Sequence, residues 1–250
     1  MTDLRSTEAE EFEKAIPKDM IDEYMDIREQ DFIKSKYYYF ENLMPRIKPL
    51  LESRPEHEKF RESQHAEGFS TLVSLMGFSP ETTVHAAVIL RPKKIVIAYS
   101  ENSKESMRPA IEYLSREKIV DVLFDVEKVE IDAFDPQDIY DKLHHRLAQE
   151  TNDSGRVIFD ITGGTKLMSA TAGALAWERN LRLCYLDGGW NPEKGAAGLA
   201  RSSHMKIFRN PSRLRGYLRR KEALDAYQSC LLYTSPSPRD RTRSRMPSSA

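Results

Sequence analysis

From residue 69 onward the chain alternates between short, continuous apolar runs and longer stretches in which apolar residues recur every three or four positions. The first pattern predicts buried strands and the second amphipathic helices. Residues 69–76 (FSTLVSLM), ended by Gly77, read as the first strand. A helix follows over 80–90, with Ser79 as candidate N-cap and Pro80 at the first helical position. Strands are predicted at 93–99 (KKIVIAY), 120–131, 157–161 and 181–186, and residues 205–208 are a candidate sixth. The intervening helices are predicted at 103–118, carrying Met107, Ala110, Ile111 and Leu114, at 136–150 behind Asp135 as N-cap, and at 167–179.

Strands alternating with helices of this length imply right-handed βαβ crossovers and a parallel sheet covered on both faces. Runs such as KIVIAY, apolar without alternation, fit burial on both sides. The expected fold class is α/β, a Rossmann-like parallel sheet in the order 3-2-1-4-5 with room for a sixth strand. In such a sheet the first and fourth strands are neighbours where the winding reverses, and ligands bind beyond the C-terminal strand ends at that point. Two loops would line the crevice, residues 76–83 after the first strand and 162–166 after the fourth. The loop after the second strand, residues 100–103, would form its rim.

Residues 1–66 are different in texture, acidic and helical, with Ile21, Tyr24, Met25, Phe32, Phe40, Leu43, Met44, Ile47, Leu50 and Leu51 near a 3.6-residue period. Pro17 suits a first helical turn, whereas Pro45 and Pro49 are expected to break or kink the helix. The run Tyr37-Tyr38-Tyr39 is read as straddling the buried and exposed faces of one helix. The organisation expected is a helical N-terminal extension (1–66), a ligand-sensing Rossmann-like domain (67–210), the start of a helical linker or effector region (211–229) and a disordered tail (230–250).

Composition alters this picture at the C-terminus. Of 250 residues, 38 are basic and 39 acidic. The stretch CLLYTSPSPRD (230–240), followed by SRMPSSA (244–250), resembles the read-through translation of a transposase sequencing adapter on a truncated gene fragment. It carries Arg239, Arg241, Arg243 and Arg245 against Asp240, so without it 34 basic and 38 acidic residues remain and the net charge moves from −1 to −4. Such a balance argues against a generic nucleic-acid binder. Cys184 is then the single cysteine of the folded part, which leaves neither a disulfide nor a cysteine metal site within one chain. Without an apolar run of membrane-spanning length or a signal-peptide pattern at the N-terminus, a cytoplasmic protein is expected.

The chemistry concentrates in Asp160-Ile161-Thr162-Gly163-Gly164-Thr165-Lys166. A strand, a glycine pair, a hydroxyl, a lysine and a helix start in that order suit an anion, because N–H groups at a helix N-terminus have no internal partner and the dipole favours negative charge. The two glycines are read as letting a phosphate approach the backbone. The stretch is not a P-loop, since Leu167 stands where that motif places a metal-binding hydroxyl. Nor is it a dinucleotide fingerprint, which belongs after the first strand, where Gly77 stands alone.

Asp-Ile-Thr-Gly-Gly-Thr-Lys followed by Met168-Ser169-Ala170, together with Leu75-Met76-Gly77-Phe78-Ser79-Pro80-Glu81, resembles the paired binding loops of the CARF domain, the CRISPR-associated Rossmann fold of type III systems. The resemblance spans about residues 69–210. It implies a regulatory domain that senses cyclic oligoadenylate (the tetra- or hexa-adenylate ring) in antiviral defence and controls a C-terminal effector. It also implies a homodimer with the ring across its two-fold axis, no membrane partner and no direct DNA contact. Carried over by motif, Thr162, Gly163, Gly164, Thr165 and Lys166 would hold phosphate and ribose. Gly77, Phe78, Ser79 and Thr82 would face the ring, and Glu101 and Asn102 would reach adenine edges. Trp190 is a candidate base stack, with packing on its own domain the simpler role. A ring nuclease would use Lys166 and Ser79 as catalytic groups without metal or cofactor, so sensor and nuclease both stay open, as does a ligand-controlled transcription regulator. His85 is read as structural, His144 and His145 as solvated, and no metal set or catalytic triad is expected.

Overall fold

A computed structural model describes residues 12, 14–57, 69–120, 125–148, 156–187, 204–211 and 216–234. The chain divides into two compact units, Met1–Arg209 and Asn210–Ala250. The first is built on a six-stranded sheet in the order β3-β2-β1-β4-β5-β6. Its strands are β1 (Thr71–Met76), β2 (Lys94–Tyr99), β3 (Val126–Glu130), β4 (Val157–Asp160), β5 (Arg182–Asp187) and β6 (His204–Phe208). The first five pair in parallel, and β6 adds antiparallel to β5, with Cys184 opposite Ile207. The Rossmann-like sheet read from the sequence is therefore present, and the candidate sixth strand is real.

The sheet separates two apolar layers. Even-numbered β1 residues Leu72 and Met76 join Ile95, Ile97, Ile158 and Cys184 on one face; Val73 and Leu75 join Val96, Ala98 and Phe159 on the other. The period-2 alternation of a strand thus survives even where both faces are buried. The second face is covered by α6 (Pro136–Ala148) and α7 (Lys166–Glu178). The first is covered by α4 (Glu81–Leu90) and α5 (Lys104–Arg116).

Helix α4 is buried at all ten positions. A helix in a doubly wound fold normally keeps a wet outer face, and one buried all round must be covered twice. The second cover is the N-terminal segment: α1 (Lys18–Gln30), α2 (Phe32–Tyr38), a π-helical turn (Tyr39–Leu43) and α3 (Met44–Glu52), whose Tyr39, Phe40, Leu43, Met44, Ile47 and Leu51 belong to the same apolar cluster as α4. The helix is not broken at Pro45 or Pro49. Pro45 falls in the first turn of α3, directly after the π-helical turn, and Pro49 is carried inside the helix. The π turn immediately before them is where the helical ladder changes register.

Two further boundaries differ from expectation. Ser79 does not cap α4 with its side chain; Pro80 holds the N-cap position and Ser79 contributes its carbonyl, which accepts from Thr82 Oγ1 at 3.0 Å. Helix α7 begins one residue early, with Lys166 as its first residue and Thr165 as N-cap. In the second unit α8 (Tyr217–Thr234) runs past Ser229, and residues 235–250 and Trp190 lie outside the described residues. No described helix is long and apolar enough to cross a membrane.

His85 of α4 is buried against Tyr39, whose hydroxyl lies 2.8 Å from Nε2. Burial, assisted by the positive charges of Arg54 and His57, pushes its pKa down to about 3, and burial lowers that of His57 as well. In the unfolded chain each imidazole binds a proton near pH 6.5, while the folded protein keeps His85 neutral down to about 3. Stability is therefore expected to fall as the pH drops below 6.5, by roughly 1 kcal/mol per pH unit from His85. Buried Asp160, whose carboxyl is raised by burial, acts in the opposite sense just above its ordinary value. Thermal unfolding at pH 7 and pH 5 should show a midpoint several degrees lower at pH 5, and His85→Gln should shrink that difference. An unchanged difference would assign the acid sensitivity elsewhere.

Candidate functional site

The site lies at the C-terminal ends of β1 and β4, which are adjacent, Ser74 facing Asp160 across the pair. Here the glycines meet protein rather than open space. A Cβ on Gly163 would lie 2.2 Å from the Leu75 carbonyl oxygen, and one on Gly77 would lie 3.1 Å from the Gly164 nitrogen. The loops after β1 and β4 touch backbone to backbone. The sequence reading of these glycines as clearance for a phosphate is corrected at Gly163, whose hydrogen is spent on packing one loop against the other strand. Gly164 remains solvent-exposed and adopts a positive φ of 77°, which turns the chain into α7.

Beneath the loops runs a buried polar chain. Asp160, fully buried, accepts from the Thr162 N–H at 3.0 Å, from the Thr162 hydroxyl, and from the Ser74 hydroxyl at 2.8 Å. Ser74 in turn pairs with Thr83 Oγ1 of α4 at 2.8 Å, and the Leu186 N–H donates to Thr162 Oγ1 at 2.9 Å. This chain fixes the β4–α7 turn to α4 on one side and to β5 on the other. Ser74, Thr83 and Asp160 as its anchors were missed from sequence. The signal was there in a carboxylate closing one apolar strand and a hydroxyl inside its neighbour.

The network also sorts the candidate hydroxyls. Thr162 is occupied as just described. Thr165 Oγ1 accepts from the Met168 N–H at 3.1 Å, as an N-cap, and donates to the Ala133 carbonyl at 3.2 Å. Thr82 is buried and bonded to Ser79. Among the described residues the Ser79 hydroxyl has no partner, nor does the Lys166 ammonium, which is exposed on the first turn of α7. The N–H groups of Gly164, Lys166 and Leu167 also lack a described partner and lie on an exposed stretch, with no acidic residue in the first turn of the helix. The exposed Lys166 and the helix-start N–H groups share one turn, an arrangement of a kind that suits an anion.

Aromatic surface flanks it. Phe78 stands 59 % exposed after β1, and Phe134, after β3, is 76 % exposed. A cavity of about 300 Å³ between the loops after β2 and β3 is lined by Ser100, Glu101, Asn102, Asp132, Phe134 and Lys142, among others. Glu101 and Asn102 are thus brought to a pocket, although the Glu101 carboxylate already pairs with Lys104 at 3.1 Å. The pocket adjoins the α7 start through Ala133. Phe134 and Lys142 were missed from sequence, though a lone phenylalanine in the polar loop Asp132-Ala133-Phe134-Asp135 after a strand end was a usable sign. A larger cavity, about 670 Å³, opens at the opposite strand ends, by Pro92 and Val120, and none of these loops lines it.

Of the histidines, His85 and the exposed His145 stand as expected and His144 does not. His85 is structural, while His144 stacks on Tyr140 and contacts Arg179 rather than standing in solvent. No cluster of metal-ligating side chains occurs among the described residues.

No family model matches the chain, and no curated protein matches it. Among solved structures it is similar to Can2 from Sulfobacillus thermosulfidooxidans in complex with cyclic tetra-adenylate, at 19% identity and a TM-score of 0.38, over 47% of this chain and 32% of that one. It is also similar to Enterococcus italicus Csm6 bound to cyclic hexa-2'-fluoro-hexa-dAMP, at 14% identity and a TM-score of 0.47, over 65% of this chain and 48% of that one. The chain therefore spans less than half the length of either.

Proposed function

We propose that the Met1–Arg209 unit is a CARF-type regulatory domain that binds cyclic oligoadenylate, a tetra- or hexa-adenylate ring, in a CRISPR-associated antiviral response. Both similar proteins were solved with such rings, but the reading stands on the residues of this chain. The observation that carries it is the contact of the Gly77 and Gly164 loops at the β1/β4 reversal, one loop bearing the exposed Phe78 and the other the exposed Lys166 and the α7 N–H groups. Lys166 and the Gly164, Lys166 and Leu167 N–H groups serve a phosphate. Phe78 serves a base face, and Glu101 and Asn102 serve adenine edges from the neighbouring cavity. Thr162 and Thr165 act from beneath by shaping the turn. A ring with repeated adenylates has rotational symmetry, so a homodimer presenting these loops twice is the assembly that matches it.

A second reading is favoured by one observation: Ser79 is the site hydroxyl without a described partner, as Lys166 is the cation without one. The pair suits a ring nuclease that aligns a ribose 2′-hydroxyl against its phosphate and stabilises the charge that develops.

Isothermal titration of the wild-type protein and Lys166→Ala with both rings tests the first reading. A charge-assisted phosphate contact contributes about 1.5–3 kcal/mol, so the variant should bind roughly 10- to 100-fold more weakly. Equal affinity would remove Lys166 from the site. Chromatography of the ring after incubation separates the two readings, intact ring marking a sensor and linear adenylate, lost with Lys166→Ala, a nuclease.

A further inference from the structure

Three contacts join the N-terminal segment to the turn that leads from β1 into α4, and they follow the same order along both. The Phe32 ring meets the Phe78 ring edge-on, centroids 6.3 Å apart. Lys36 Nζ, one turn further, lies 2.8 Å from Glu81 Oε1 at the first residue of α4, both side chains almost wholly buried, at 2% and 0% exposure. Another turn on, the Tyr39 hydroxyl meets His85. Lys36 also closes over the Phe32 ring, 4.3 Å from its centroid, so the first two rungs are tied to each other.

The outermost rung ends at Phe78, the exposed aromatic ring of the site. An exposed phenylalanine on a glycine-containing turn can occupy more than one rotamer, and ordering it on binding costs affinity. Phe32, held from behind by Lys36, restricts that ring before a ligand arrives.

Resting on the cyclic-oligoadenylate reading above, we propose that α2 of the N-terminal segment is part of the ligand site: Phe32 and Lys36 are positioning residues that hold Phe78 ready to stack on a base. Phe32 is only partly buried and Phe78 exposed, so Phe32→Leu and Phe78→Ala fold and allow a double-mutant cycle. Titration of the wild-type protein, both single variants and the double variant with cyclic tetra- and hexa-adenylate gives four affinities for whichever ring binds. Loss of a stacked ring predicts about 5- to 100-fold weaker binding for Phe78→Ala. Phe32→Leu is expected to weaken binding about 3- to 10-fold in the wild-type background and to have no effect once Phe78 is alanine, because it acts only through that ring. A purely structural residue would weaken both backgrounds equally, and that result, or unchanged affinity in Phe32→Leu, overturns the proposal while leaving the ligand reading intact. Wild-type protein that takes up neither ring overturns the ligand reading and this proposal with it.

Discussion

Gly163→Ala is expected to lower the thermal midpoint by roughly 6–12 °C and to abolish measurable ring binding. The added Cβ would sit 2.2 Å from the Leu75 carbonyl oxygen and 3.3 Å from Thr82 Oγ1. The first is far inside any real contact, and its partner is backbone held in the β1 ladder, opposite Ala98. Nothing flexible can give way, so the β4–α7 turn must move. Overpacking of this kind costs about 3 kcal/mol or more, and at this chain length each kcal/mol moves the midpoint by about 2–4 °C. Displacing the turn also displaces Gly164 and the first residue of α7, so binding fails even where the fold survives. Thermal unfolding together with titration checks this. A variant with wild-type midpoint and affinity would show that the two loops do not touch as described.

Lys36→Met is expected to cost about 3–5 kcal/mol, because it leaves the Glu81 carboxylate buried without its counter-charge. The other Glu81 oxygen, Oε2, has no described partner to share the burden. The same physics predicts recovery. Lys36→Met combined with Glu81→Leu removes both charges, and a well-packed apolar pair of similar volume is close to neutral in such sites. The double variant should therefore melt within a few degrees of wild type, while the single variant melts about 10 °C or more below it. Denaturation of the three proteins distinguishes a buried ion pair from an exposed one, for which neither variant would matter.

The sheet was legible because its strands are continuous apolar runs between helices of regular length, and the order of the first five strands is the one expected of a Rossmann-like winding. The antiparallel direction of β6 was not, since four residues of pattern carry no direction. In the candidate site, the motif lies at the strand reversal as expected, and the structure gives several of its residues a task within the fold. Thr162 and Thr165 look like ligand hydroxyls in sequence, and both are engaged with Asp160, Leu186, Met168 and Ala133. Gly163 looks like clearance for a phosphate and is clearance for Leu75. Lys36 reads as one more polar residue of an acidic segment, because its partner stands 45 positions away. Glu81 was the available clue, the one acidic residue of a helix with no lysine or arginine to pair it.

The proposed cyclic-oligoadenylate reading is tested most directly by calorimetric titration of the wild-type protein with cyclic tetra-adenylate and cyclic hexa-adenylate. Saturable binding of one of them, at one ring for every two chains, is the result predicted. No heat and no saturation with either ring would contradict the reading of this site.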